Sequence, residues 1–175
     1  MTVDRLENRA RALREAFDRS FSEPRDREEA RTESFVTLRI GGDAHALRVS
    51  ELSGLHSGKK IVALPSPSPE LLGISGMRSG VVPVYCLEAL LGYPRTTAPA
   101  WLVLAGVEDP IGLAFESFEG HSKVASGALF RVDPGAARAH VRELVRIDGE
   151  ARRVIDVGSM TGAIRARVLG APKGR

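Results

Sequence analysis

The chain has 175 residues, 43% of them hydrophobic and 27% charged, so it can build a compact core. The formal net charge is +3, but basic and acidic residues are mixed along the chain and aromatic residues make up only 5%, which argues against nucleic-acid binding. The single cysteine excludes an internal disulfide and a thiolate-rich zinc site, and no apolar run approaches the ~20 residues of a membrane-spanning helix.

The first 33 residues differ from the rest in being about half charged. Apolar residues recur there at spacings of three and four, at Val3, Leu6, Ala10, Leu13 and Phe17. This spacing predicts an amphipathic helix, followed by a charged linker. The helix either packs on its own domain or serves for docking or for self-association through Val3, Leu6, Leu13 and Phe17, and disorder of the segment is the third alternative. No apolar signal-peptide stretch follows the first charges, so we expect a cytoplasmic protein with no direct membrane insertion.

From Ser34 the pattern changes to short segments that alternate as β-strands do. Val36, Leu38 and Ile40 point to one side, and Gly41-Gly42-Asp43 predicts a hairpin into a strand that runs through Leu47 and Val49 towards Glu51. The segment 59–64 predicts another strand, ended by Pro65. The prolines at 65, 67 and 69 predict a stiff loop, because proline donates no hydrogen bond to a sheet.

The second half of the chain continues in the same way. Strands are predicted at 80–85, 101–105, 111–115, 141–147 and 151–157, the last two joined by the hairpin signal Asp148-Gly149. Leu87 to Leu91 predicts a helical turn closed by Gly92, and 158–168 predicts a final short helix with Ser159 as its N-cap. Many short strands at regular intervals indicate a mainly β fold, a barrel or a sandwich, with helices at both ends.

Few residues are arranged for catalysis or metal binding. Gly54 to Lys59 has one residue too few between its glycines for a phosphate loop, so we interpret it as a turn. Ser75 lacks the second glycine of a nucleophile elbow, because Met77 stands there. The four histidines are scattered, and nothing near Cys86 predicts a reactive thiolate. We therefore expect no catalytic residues, no metal and no cofactor; a hydrolase or transferase using Cys86 or Ser75 is the enzymatic alternative.

One segment resembles a known signature. Residues 71–92 read LLGISGMRSGVVPVYCLEALLG, which is similar to the signature of the CheW family: an apolar-Gly-apolar strand, Asn-Leu-Arg-Gly, a Val-Pro-Val strand, then Asp-Leu and a short helix ending in Gly. The likeness extends over residues 34–167. It implies two small SH3-like five-stranded barrels that share a hydrophobic core, with a boundary near residue 92. Residues 1–33 then form the N-terminal helix and linker, and 168–175 a basic tail.

The resemblance also implies a function. CheW-like proteins are cytoplasmic, non-catalytic adaptors that couple methyl-accepting chemoreceptors to a CheA-type histidine kinase in a chemotaxis-like two-component pathway. By likeness, the receptor's hairpin tip docks near Arg78, Glu51 and Val49, and Arg78 and Glu51 are expected to lie near one receptor site; an ordinary surface ion pair is the competing account. The predicted kinase contacts are apolar, and are the side chains of Leu52, Ile74, Met77 and Val82.

The chain departs from the signature at two places. Gly76-Met77-Arg78-Ser79 replaces Asn-Leu-Arg-Gly, so that the amide is missing and the glycine has moved to Gly80. A positive φ after Arg78 would strain Ser79, unless the turn is rearranged around Gly80. Cys86 replaces an Asp that would cap the short helix. The alternative function is therefore a CheW-like protein that has lost one interface and acts as a pathway-specific interaction or self-assembly module.

Overall fold

The computed structural model describes residues 32–78, 80–95, 98–132 and 138–170. The predicted amphipathic helix, its linker, Ser79 and the end of the basic tail lie outside these ranges. From Glu33 onward the described residues belong to one compact unit. They form two β-sheets and two α-helices, so the prediction of a mainly β protein is confirmed.

The first sheet has six strands in the order β8-β1-β2-β11-β10-β9. Its strands are β1 (Thr32–Ile40), β2 (Asp43–Arg48), β8 (Ser117–Ala125), β9 (Leu129–Arg131), β10 (Val141–Ile147) and β11 (Glu150–Ile155). The second has five in the order β3-β6-β7-β5-β4. These are β3 (Leu52–Ser57), β4 (Leu71–Met77), β5 (Gly80–Cys86), β6 (Trp101–Ala105) and β7 (Ile111–Phe115).

The two sheets are not successive halves of the chain. The chain leaves the first sheet after β2, builds the whole second sheet, and returns to the first at β8. The strands on both sides of residue 92 therefore lie in the same sheet, so the sheets do not divide near residue 92 as expected. The first sheet also has six described strands where five were expected. Among the described residues, β11 pairs with β2 in parallel in the first sheet, and β5 pairs with β7 in parallel in the second.

The main hydrophobic core is shared by both sheets and both helices. It contains Leu38 and Leu47 of the first sheet, Val103 and Leu113 of the second, and Met160 of the last helix. A smaller cluster around Phe35 lies on the other face of the first sheet, and one around Val84 lies on the other face of the second. The expected shared core of two SH3-like barrels is thus present.

This arrangement explains why some strands are apolar without interruption. Along β6, Leu102 and Leu104 pack in the cluster of the second sheet, whereas Val103 and Ala105 pack in the shared core. Successive strand residues face opposite sides of a sheet, so a strand buried on both faces needs apolar residues at every position. Strand β7 is buried along all five residues for the same reason.

Both predicted hairpins are confirmed. Ile40 pairs with Asp43 across Gly41 and Gly42, which have φ values of 57° and 85°. Ile147 pairs with Glu150 across Asp148-Gly149, where φ is 51° and 82°. Positive φ at both central residues gives a turn whose twist matches that of the strands, which is why short polar residues and glycine signal it in the sequence.

Several strand predictions need correction. Residues 59–64 form only one isolated bridge, between Val62 and Ile74, and the strand lies earlier, at β3, in a segment whose glycines predict a turn. The sequence pattern also gives no prediction of β8 and β9. The strands β3, β8 and β9 are edge strands with no buried residue, so they carry little of the apolar periodicity that reveals a strand.

The helices are α1 (Leu87–Leu90) and α2 (Val157–Gly170). Gly92 follows α1 with φ of 76°, as predicted. The cap of α2 is Asp156 and not Ser159, because Asp156 Oδ1 accepts the backbone N–H of Ser159 at 2.7 Å.

None of the helices in the described ranges is long and apolar enough to cross a membrane.

Tyr93 fixes the loop after α1 to the hairpin of the first sheet. Its hydroxyl donates to Asp43 Oδ2 at 2.6 Å, and the same oxygen lies 2.8 Å from Arg153 Nη1. The hydrogen bond from Tyr93 is the main reason that the pKa of Asp43 is lowered. The guanidinium of Arg138 covers the Tyr93 ring at 4.3 Å. These contacts hold the loop between α1 and β6 against the β1–β2 turn.

His45 beside this cluster makes the fold sensitive to acid. It is fully buried, its Nδ1 lies 3.0 Å from Asp43 O, and Nε2 has no hydrogen-bond partner among the described residues. Burial lowers its pKa below the ordinary 6.5. The unfolded chain therefore takes up the proton first, so stability present above pH 6.5 is lost as pH falls below it.

We expect the urea midpoint to fall between about pH 6.5 and pH 5, and the fall to be shallower in His45→Gln. Burial also lowers the pKa of His140, so the urea midpoint of His45→Gln is expected to keep a smaller fall with decreasing pH. Urea unfolding followed by circular dichroism over this pH range measures the midpoints of the parent and of His45→Gln. An unchanged pH slope in His45→Gln would show that His45 is not the group responsible.

Candidate interaction site

The predicted receptor residues Val49 and Glu51 lie where the chain crosses from the first sheet to the second. Val49–Glu51 forms a single 3₁₀ turn between β2 and β3, and Leu52 opens β3. Val49 and Leu52 are partly buried and pack against the shared core. These apolar side chains are therefore part of the contact between the sheets.

Glu51 is held at the beginning of α2. It accepts the backbone N–H of Val157, while Oε2 is buried without a hydrogen-bond partner in the described part of the chain. Burial raises the pKa of Glu51, and the neighbouring carboxylates of Asp156 and Glu143 act in the same direction, against the attraction of Arg48. A half-satisfied carboxylate at a sheet crossing is unusual for a purely structural residue.

Arg78 lies elsewhere, at the exposed turn between β4 and β5. Among the described residues it makes no ion pair and no side-chain hydrogen bond. Glu51 precedes β3 and Arg78 follows β4, and these strands are the opposite edges of the second sheet. No ion pair joins Arg78 to Glu51 in the described part of the chain.

The predicted kinase contacts are mostly part of the core. Val82 is only 3% exposed and belongs to the cluster of the second sheet, against which Met77 packs. Ile74 is half-buried and forms the backbone bridge with Val62. The turn after Arg78 has its positive φ at Gly80, at 133°, consistent with the displaced glycine of this sequence.

An exposed apolar groove lies beside Arg78. Its volume is about 690 Å³, and it is bounded by the start of β5, the loop between β6 and β7, and the last turns of α2. Val81, Val107 and Val168 line it and are 66%, 86% and 61% exposed. Exposed apolar side chains that gather in one place mark an interaction surface more often than scattered ones. Three of the six large hydrophobic residues exposed in the described ranges thus face one groove.

Sequence reasoning missed this groove although two signals were present. In β5, Val82 and Val84 are buried, so the period of two places Val81 on the outer face. Val107 stands in the turn segment Gly106-Val107-Glu108-Asp109-Pro110, where the turn itself requires no apolar residue. What the sequence does not show is that the end of α2 lies next to both.

The proline-containing loop supports α2 on its other side. Ser68 Oγ donates to Glu70 Oε2 at 2.7 Å, and Arg167 Nη1 of α2 lies 2.9 Å from Glu70 Oε1. The hydrogen bond from Ser68 is the main cause of the lowered pKa of Glu70. These contacts link the loop to the helix that forms one wall of the groove.

The alternative nucleophiles are not open to a substrate. Ser75 is 2% exposed and its hydroxyl donates to Lys60 O at 2.9 Å, and Cys86 is 3% exposed. Cys86 occupies the N-cap position of α1 but makes no capping hydrogen bond. No group of three or more candidate ligands for a metal ion occurs within the described ranges. The groove of Val81, Val107 and Val168 is therefore a candidate site, and its apolar lining suits contact with another protein.

Comparison with known proteins agrees with this architecture. The family model of the CheW-like domain matches residues 34–165. Among solved structures, the scaffolding protein CheW of Thermoanaerobacter tengcongensis is similar, with a TM-score of 0.64 and 14% identity over 70% of this chain and 88% of that one. At this identity the likeness concerns the fold alone. No curated protein sequence matches the chain.

Proposed function

Because the chain belongs to the CheW-like domain family, we propose that it is a non-catalytic adaptor that couples chemoreceptor-like proteins to a CheA-type histidine kinase. The observation that supports this most is the exposed apolar groove of Val81, Val107 and Val168. A chemotaxis scaffold must present at least one surface to another protein, and this groove is open and carries exposed apolar side chains.

We assign the groove to the kinase. Its three valines offer an apolar centre, and Glu108 and Asp109 form a charged rim beside them. An interface of this kind, with an apolar centre and a polar rim, fits a second barrel with an apolar edge, such as a CheW-like regulatory domain of the kinase. Val81 and Val107 replace Leu52 and Val82 as the principal kinase contacts in this proposal.

We assign Arg78 to the receptor. Its guanidinium is exposed and has no ion-pair partner among the described residues, so it is available to bind a carboxylate of another protein with two parallel hydrogen bonds. Glu51 and Val49, at the crossing between the sheets, form the second part of the receptor site. Arg78 lies two residues before Gly80 of the groove, so receptor and kinase would bind close together on this protein.

The test is a binding assay of the full chain with a CheA-type kinase and a receptor cytoplasmic fragment from its own organism. We expect Val107→Asp to weaken kinase binding at least about tenfold and Arg78→Glu to weaken receptor binding by a similar factor. Lys123→Glu, an exposed charge reversal on β8, is the matched control and should change neither affinity. Isothermal titration calorimetry measures all three variants against both partners.

Both substituted residues are exposed, so the thermal midpoints should stay within about 2 °C of the parent. Unfolding of Arg78→Glu would make Arg78 a structural residue and remove it from the receptor site. Binding of the kinase but not of the receptor would favour the alternative adaptor that has lost one interface. If the unmodified chain bound neither partner, the adaptor function itself would be contradicted.

A further inference from the structure

A second groove, of about 750 Å³, lies between β9, β10 and the beginning of α2, and its lining includes four arginines. These are Arg48, Arg131, Arg138 and Arg142, with His140 among them. Glu143 and Asp156 are the carboxylates in the lining. The described wall of the groove thus carries more positive than negative charge.

Two of the arginines are already engaged by carboxylates. Arg48 Nε lies 2.8 Å from Glu33 Oε2, and its Nη2 donates to Glu143. Arg142 is 3.7 Å from Asp156 and its side chain is 74% exposed, so this contact is weak. The positive charge of Arg48 is therefore compensated by two carboxylates, whereas that of Arg142 is only weakly paired.

The other two arginines have no such neutralisation. Arg131 and Arg138 are exposed, and within the described ranges neither has a carboxylate at ion-pair distance. Arg138 is instead held over the Tyr93 ring, where the carboxylate of Asp43 attracts it without forming an ion pair. Three exposed guanidinium groups, on β9, on β10 and on the loop before β10, therefore favour an anionic ligand.

The backbone between these arginines is also strained. His140 has φ of 60°, a left-handed conformation that is uncommon for a residue other than glycine, and its Nδ1 lies 3.0 Å from Ser159 Oγ of α2. Residues held in such conformations occur preferentially at binding sites. The bond to α2 fixes the loop between Arg138 and Arg142, so the two guanidinium groups are presented in a defined arrangement.

We propose that this groove binds an acidic polypeptide segment, a run of Asp and Glu side chains in a partner protein. Guanidinium groups bind carboxylates through two parallel hydrogen bonds, and the arginines that line this one groove give an acidic segment several such binding groups. No aromatic residue lines the described wall for base stacking, which favours an acidic polypeptide over single-stranded nucleic acid. The assignment does not depend on the adaptor function.

The experiment uses the full chain and a fluorescent peptide of about twelve residues rich in Glu, with a Gln-substituted peptide as the neutral ligand. We expect saturable binding of the Glu peptide at about 50 mM salt by fluorescence anisotropy, and none of the Gln peptide. The double variant Arg131→Glu, Arg142→Glu should weaken binding at least about tenfold. Arg146→Glu, Lys123→Glu is the control of equal net charge, since both residues are exposed and lie outside the groove.

Three results would overturn the proposal. The first is the absence of saturable binding to the unmodified chain. The second is an equal loss of affinity in the control pair, which would show attraction by net charge alone. The third is tighter binding of single-stranded DNA or of inorganic phosphate, which would identify the groove as a site for phosphate groups. A thermal midpoint for each variant near that of the parent establishes that the groove variants are folded.

Discussion

Gly73→Ala is expected to lower the free energy of unfolding by about 3 kcal/mol or more, and to leave little folded protein at 37 °C. A Cβ at Gly73 would lie 2.0 Å from the backbone oxygen of Val62 and 2.9 Å from Ala63 Cα. Both neighbours are backbone atoms, so no side-chain rotation relieves the clash. The φ of 143° adds strain for any residue other than glycine.

The clash would also disrupt the backbone contact between Val62 and Ile74. Val62 and Ile74 exchange two backbone hydrogen bonds of 2.8 and 2.9 Å, which hold the segment 59–64 against β4. Gly76→Ala is the matched control, since Gly76 lies in the same strand, has no positive φ, and a Cβ added there would have no neighbouring atom within 4 Å among the described residues.

Soluble yield and urea unfolding compare the two variants directly. We expect Gly76→Ala to unfold within about 1 kcal/mol of the parent. If Gly73→Ala were equally stable, the segment 59–64 would have to move away from β4 without cost, and the bridge between Val62 and Ile74 would not contribute to the fold.

Arg152→Met is expected to destabilise the protein by about 2 kcal/mol. Arg152 is 8% exposed, its Nη2 lies 2.8 Å from Glu150, and its Nη1 donates to Glu119. The pair with Glu119 joins β11 to the edge strand β8. Removing the guanidinium leaves both carboxylates without their buried partner, and the remaining attraction comes from Arg39 alone among the described ion pairs.

Comparison with Arg39 separates the effect of burial on the stability contributed by Arg152 from the effect of its ion pairs. It contacts the same two carboxylates, at 2.6 and 3.1 Å, but its side chain is 41% exposed. Arg39→Met should therefore destabilise the protein less than Arg152→Met, because water screens the exposed pair. Urea unfolding of both variants at low and high salt measures the difference. Equal losses would mean that burial does not strengthen the contribution of Arg152.

The sequence predicts best where one local rule decides the structure. The hairpins at Gly41-Gly42 and Asp148-Gly149, and the strands 101–105 and 111–115, match the structure because turn chemistry and apolar periodicity act over a few residues. The edge strands β3, β8 and β9 escape prediction because a strand at a sheet edge, exposed along much of its length, needs little apolar periodicity.

The site is predicted less well than the fold. Arg78 is exposed and unpaired among the described residues, which suits its proposed role as a binding residue. The signature suggests Val82 as a surface contact, but the period of two buries it and exposes Val81 instead. It also suggests Glu51 as the partner of Arg78, but no ion pair joins the two among the described residues. A signature identifies residues that matter without stating which of them share a surface.

By itself, the sequence determined that this protein is mainly β, that it belongs with the CheW-like proteins, and that its turns lie where glycine and aspartate permit positive φ. The mainly β character and the turns follow from residue type and spacing alone, whereas the family follows from the resemblance of residues 71–92 to its signature. Only the tertiary structure decided that the chain leaves the first sheet and returns to it, and that the end of α2 meets Val81 and Val107. Such contacts join residues far apart in the chain, and their geometry depends on how the two sheets pack around one core.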